Sequence, residues 1–198
     1  MQSTAARRLT REERRNQLVE LGLEMLSSEP RELVALDRIS EVAGISRGLL
    51  FHYFPTKRDY HVAVVEAACA RLLERTEPDP ALAPAERLRA SLDAFIEFVR
   101  QNEELYRALI RGAAGADGEL EAVFERTRGA IAKRVFDQLG EPRPAPLARN
   151  ALRGWIGFVE ESTLDWLRHS DLDRRELVEL QGAALEAVLA AAGSITER

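Results

Sequence analysis

Apolar residues recur every three or four positions through almost the whole chain, and no stretch alternates with the strict period of two that a half-buried strand requires. The pattern predicts an all-α protein of about nine helices. The first opens at Thr10, where "TREE" places Glu13 three residues after a threonine in capping-box spacing, and its apolar stripe is Leu18, Leu21, Met25 and Leu26. Two short helices follow, in "LDRISEVA" and "RGLLFHYF", and a longer one runs from Lys57 to about Thr76. "EPDPALAP" and "GEPRPAP" carry too many prolines to lie inside helices and punctuate the chain. Between and after them come "AERLRASLDAFIEFVRQN", "EELYRALIRGA", "ELEAVFERTRGAIAKRVFDQL" and two final helices over 147–169 and 173–192.

The segment "EVAGISRGLLFHYFPTK" is a helix-turn-helix pattern. Gly44 ends the first short helix in a conformation that strains other residues, Ile45 plugs the turn, and Ser46 is a natural N-cap. Ile39, Ala43, Leu50 and Phe54 face inward. What remains outward is Arg47, Gly48, Leu49, Phe51, His52 and Tyr53, a set that suits a DNA groove: arginine for guanine or phosphate, apolar groups for a thymine methyl, His and Tyr for phosphate oxygens. Lys57 is placed to grip the backbone. On spacing alone, a packed corner with no DNA role remains open.

Charge supports a division of labour. The 198 residues carry a net charge of −5, yet residues 1–60 hold 10 Lys/Arg against 9 Asp/Glu while the remainder holds 18 against 24. Arg7, Arg8 and Arg11 belong to a modestly basic N-terminal arm and, with Ser46 at the start of the second short helix, join the candidate DNA contacts. With 45% apolar residues the chain can build a core without staples, and a single cysteine, Cys69, rules out a disulfide framework within it. The amino terminus lacks the apolar stretch of a secretory signal and no uncharged apolar run approaches bilayer length, so a cytoplasmic protein without membrane attachment is the expectation. Neither a metal site nor a cofactor fingerprint is present, and no hydrolase, metalloprotease or nucleotide-binding motif points to an enzyme.

These residues resemble the DNA-binding region of the TetR family of bacterial transcriptional regulators. The matching positions are Ala43, Gly44, Ile45, Ser46, Gly48, Leu50, Tyr53, Phe54, Thr56 and Lys57. The chain departs from the family pattern at Val34 and Ala35, where a hydroxyl residue is usual, and at Phe51, where tyrosine is common. The resemblance implies a DNA-binding domain over residues 1–56 and a helical effector-binding and dimerisation domain over 57–198. It also implies a ligand-responsive regulator, expected to be a repressor, that binds a palindromic operator in double-stranded DNA as a homodimer and is released by a small-molecule effector.

For the effector, aromatic and polar side chains on the middle helices are the candidates: Phe95, Phe98, Tyr106, Leu109, Ile110, Phe124, Arg128, Ile131, Trp155, Phe158 and Ser162. Arg128 and Arg107 would serve an anionic effector, the aromatics an uncharged one. The last two helices carry more apolar surface than one small core can bury, so Leu152, Ile156, Thr163, Leu167, Leu177, Leu180, Ala184 and Val188 are expected at a four-helix dimer interface. A helix pair buried wholly within one chain is the alternative.

Overall fold

The computed structural model describes residues 9–28, 36–103, 106–107, 118–169 and 171–196. Eight helices span them, with no strand among the described residues. They are α1 (Arg11–Ser28), α2 (Leu36–Val42), α3 (Arg47–Tyr53), α4 (Lys57–Arg75), α5 (Pro84–Gln101), α6 (Gly118–Gln138), α7 (Pro146–His169) and α8 (Arg174–Thr196). Of the expected helix in "EELYRALIRGA", Tyr106 and Arg107 are helical; Leu109 and Ile110, like Arg7, Arg8, Val34 and Ala35 earlier in the chain, lie outside the described residues. The chain divides into two compact units, residues 1–68 and 69–198, and the division falls inside α4.

In the first unit, α1 begins as its sequence requires. The Thr10 amide donates to the Glu13 carboxylate (2.8 Å) and the Glu13 amide donates back to the Thr10 hydroxyl (3.2 Å). The inward stripe of α1 is Leu18, Val19 and Leu23; Leu21 is only half-buried, one register away from the expected stripe. Gly44 has φ 63°, and around it the amides of Gly44 and Ile45 donate back to the carbonyls of Glu41 (3.1 Å) and Ser40 (3.0 Å), closing α2 in a Schellman turn. Ser46 caps α3 by accepting from the Leu49 amide. Ile39, Leu50, Phe54, Tyr60 and Val64 fill the small core, while Ala43 is only half-buried.

In the second unit, α7 and α8 pack along each other, α5 lies against both, and α6 lies against α7. One apolar core joins Leu72, Leu92, Phe95, Ile96, Phe98, Val99, Tyr106, Phe136, Leu152, Trp155, Ile156 and Leu177. Pro84 stands at the first turn of α5, and Gly140 at φ 73° ends α6 just before Pro142, so both proline-rich breaks lie between helices. The stretch Arg174–Ile195 of α8 is long and apolar enough to cross a bilayer by length and composition, yet its Leu177, Val178, Gln181, Leu185 and Ala192 are buried within the unit.

Candidate nucleic-acid interface and effector unit

The position of α3 follows from its anchors. Leu50 is 0% and Phe54 2% exposed, which fixes the helix's rotation and leaves its other side bare. On that side Ser46, Arg47, Gly48, Leu49 and His52 are exposed, and Phe51 and Tyr53 are half-buried. The Arg47 guanidinium pairs through Nη1 with Asp37 of α2 (3.0 Å) and lies over the Phe51 ring, 5.6 Å from its centroid. The His52 and Tyr53 rings meet edge to face at 5.6 Å. Lys57 is exposed at the start of α4, whose first turn is fixed by reciprocal bonds between Thr56 and Asp59, and Arg11 is exposed at the start of α1. Thus α3 carries cationic, apolar and hydrogen-bonding groups on one accessible side, the combination that base edges and phosphates both require.

The expected effector residues fare differently from one another. Phe95, Phe98, Tyr106 and Trp155 are buried in the core of the second unit, Phe95 and Tyr106 edge to face at 5.8 Å. Phe124, Arg128, Ile131 and Ser162 are half-buried. Phe158 is 38% exposed and lies beside the core stripe rather than in it, in a groove between α7 and α8. Arg128 is already engaged: its Nε and Nη2 donate to Glu160 (3.0 and 2.8 Å) and its Nη1 to Glu125 (3.2 Å). These hydrogen bonds, those donated to Glu160 above all, hold its pKa above the ordinary arginine value. Arg153 extends the chain of pairs by donating to Glu125 (2.6 Å). Burial, reinforced by the Glu160 charge, pushes the Tyr106 hydroxyl pKa well up and keeps it a neutral donor. Arg107 is paired with Glu103 (2.5 Å).

The expected dimer residues split in two. Leu152, Ile156, Thr163 and Leu177 are at most 4% exposed within a single chain and belong to its own core, because α7 turns that stripe toward α5 and α8. Leu167, Ala184 and Val188 are half-buried and Leu180 is 51% exposed. The uncovered apolar side of the α7/α8 pair holds a groove of about 550 Å³ lined by Leu147, Ala151, Gly154, Phe158, Val188 and Ile195, among others. A second cleft, of about 400 Å³, lies between α6 and α7, with Lys133, Arg149 and Arg153 beside Phe136 and Ile156. Among the described residues, no cluster of His, Cys, Asp or Glu is arranged to hold a metal ion.

Comparison with known proteins agrees with this architecture. The family described as "Tetracyclin repressor-like, C-terminal domain" matches residues 84–187, just over half of the chain. The HTH-type transcriptional activator FasR of Mycolicibacterium smegmatis is 26% identical over 181 residues, covering 87% of this chain and 81% of the relative. The HTH-type transcriptional repressor KstR of Rhodococcus jostii is 26% identical over 124 residues, covering 63% and 58%. A TetR-family transcriptional regulator from Streptomyces coelicolor superimposes with a TM-score of 0.84 at 28% identity, covering 94% of this chain and 85% of that one. All-helical architecture, an amino-terminal helix-turn-helix and a matching carboxy-terminal domain converge: the chain belongs to the TetR family of transcriptional regulators.

Proposed function

We propose that the protein is a ligand-responsive repressor that binds a palindromic operator as a homodimer through α3 and leaves it when a small-molecule effector binds the second unit. The observation that carries this reading is the disposition of α3: Leu50 and Phe54 fully anchored, Arg47, Leu49 and His52 open to a groove. Arg11 and Lys57, with the arginines of the amino-terminal arm, supply the phosphate contacts. DNA recognition belongs to residues 1–68 and effector binding with dimerisation to residues 69–198, with α4 as the covalent link between them.

A second copy of the chain covers the apolar side of α7 and α8. Phe158, Leu180 and Ile195 are large apolar residues left 38%, 51% and 58% exposed there. The interface residues of this reading are Gly154, Phe158, Leu180, Ala184, Val188 and Ile195. Effector class follows from the ion pairs. With Arg128 held by Glu160 and Arg107 by Glu103, an anionic ligand would have to displace a carboxylate to gain its partner. An uncharged, largely apolar effector meets no such competition, and Phe95, Phe98, Tyr106, Phe124 and Ile131 match its chemistry. A coupling of about 1 to 3 kcal/mol between effector and operator suffices to change operator occupancy 5- to 150-fold.

Selection of bound duplexes from a random DNA pool by the purified protein tests the reading. The expected product is an inverted repeat with half-site centres about 34 to 36 Å apart or a multiple of that. Failure to enrich any sequence at low salt, where phosphate contacts are strongest, overturns it. A reporter driven from the selected operator then separates repression from activation, the role named for the FasR relative.

A further inference from the structure

Asp37 is a carboxylate on the side of the molecule that is proposed to meet a polyanion. Its side chain is 71% exposed, so it is neither buried nor part of the small core. Arg47, ten residues later on α3, places Nη1 3.0 Å from Asp37 Oδ1 and 3.4 Å from Oδ2. The same guanidinium is backed by the Phe51 ring one turn along α3. An exposed pair of this kind contributes little to stability. Facing phosphates, a lone carboxylate lowers affinity for every duplex alike. Its effect on the arginine is more specific. One nitrogen is held by Asp37 and the face is held by Phe51, so the orientation of the planar fork is set, and Nε and Nη2 are left without a partner among the described residues. Those two donors form one two-donor edge of the guanidinium, spaced to meet the O6 and N7 acceptors of a guanine, while the other such edge is blocked at Nη1 by Asp37.

Resting on the reading of α3 as the DNA-contacting helix, we infer that Asp37 is a positioning residue for operator specificity: it holds Arg47 toward one guanine in each half-site and keeps it from the phosphates. A free arginine on a basic surface takes the nearest phosphate, which carries no sequence information. Asp37 disfavours that use by its own charge and by occupying Nη1, so discrimination comes partly from weakening the wrong contact.

The test compares the full-length wild type with D37N, D37E and R47K, each first taken through pool selection and then titrated with its selected operator and with an unrelated duplex across a salt series. For the wild type, the expected operator has a guanine at one strongly preferred position in each half-site. D37N lowers the ratio of operator to unrelated affinity by about tenfold, one bidentate contact's worth. It does so partly by binding unrelated DNA more tightly, and the slope of log affinity against log salt steepens by about one unit as Arg47 moves to a phosphate. D37E keeps the pair and most of the guanine preference. R47K, which retains the charge without the fork, loses the preference at the same position; should D37N melt early, D37S, which removes the carboxylate but keeps a hydroxyl for the helix start, carries the test of Asp37. If the wild type selects an operator but D37N selects the same one with unchanged ratio and slope, the inference fails while the α3 reading stands, whatever R47K does. If the wild type selects nothing, both fail.

Discussion

The Tyr60 hydroxyl donates to the Leu18 carbonyl of α1 at 2.8 Å, and Gly22, one turn beyond Leu18, leaves the space that the phenol ring enters. A Cβ at position 22 would overlap the Tyr60 hydroxyl oxygen and stand 2.7 Å from a Val64 methyl. Burial raises the Tyr60 pKa far above its ordinary value, so the hydroxyl is a donor at any physiological pH. G22A should therefore destabilise the first unit by about 1 to 3 kcal/mol, the usual cost of overpacking. Y60F should lose about 0.5 to 1.5 kcal/mol for the hydrogen bond. Because the two changes meet at one atom, the double variant should cost less than the sum, although the Val64 contact keeps the relief partial. Thermal unfolding of the four proteins completes the cycle; strict additivity would mean that ring and glycine do not interact.

An acid-dependent contribution centres on Glu97 of α5. Its carboxylate accepts from Arg100 (3.0 and 2.7 Å), Gln101 (2.6 Å) and Arg174 of α8 (2.8 Å). The Arg100 hydrogen bonds chiefly, with those of Gln101 and Arg174, hold its pKa at about 2 rather than the ordinary 4.5. A carboxylate depressed on folding stabilises the protein fully above its unfolded pKa, and that contribution disappears as the pH falls through the folded one. The gap in melting temperature between wild type and E97Q should thus be widest at neutral pH and close between about pH 4.5 and 2. It should also narrow with added salt, because Glu97 is partly exposed. A gap that persists unchanged at pH 2 would show that the residue acts through packing instead.

These two sites also show what the sequence could and could not disclose. The α2–α3 turn was readable because it is specified locally: Gly44 for positive φ, Ser46 for the cap, Leu50 and Phe54 for the inward side, all within eleven residues. Gly22 was missed, though a lone glycine inside the helical run "VELGLEM" is itself a sign of close approach. Asp37 reads as an ordinary acid at a helix start, and only its contact with Arg47 gives it another meaning. In α7, periodicity marks more apolar surface than one core can bury but does not say which side packs within the chain. Leu152, Ile156 and Thr163 were expected outside and are its core, whereas Phe158 was expected inside and is exposed. A stripe's period is the same whichever partner covers it.

Gln181 is a polar residue at 0% exposure in the contact between α7 and α8. Its amide nitrogen lies 3.0 Å from Ser162 Oγ and 3.1 Å from Thr163 Oγ1, and its backbone carbonyl accepts from the Trp155 indole at 2.8 Å. A carboxylate there keeps the shape but can stay neutral only by remaining protonated. Q181E should cost about 3 to 5 kcal/mol at pH 8, where the charge is enforced. Its deficit should shrink toward pH 5, because a carboxyl raised by burial is uncharged there. Melting curves for wild type, Q181E and Q181L across that range decide it. The Q181L deficit should be flat with pH, and a flat Q181E deficit would show that water reaches position 181.

The division of α7 into an inward and an outward stripe gives paired predictions with opposite signatures. Leu152 is fully buried in its own chain, so L152A should cost about 2 to 5 kcal/mol of stability and leave the association state of the folded protein unchanged. Phe158 lies in the open groove with Gly154 and Val188, so F158D should cost little within one chain and place a charge in the middle of a two-fold contact. In light scattering, the wild type should have twice the chain mass of 22.2 kDa and F158D the single-chain value. On the selected operator, F158D should lose the tight two-half-site complex and keep only weak, salt-sensitive binding to one half. A monomeric wild type, or an F158D that remains dimeric on an intact operator, would place the contact between copies somewhere other than this groove.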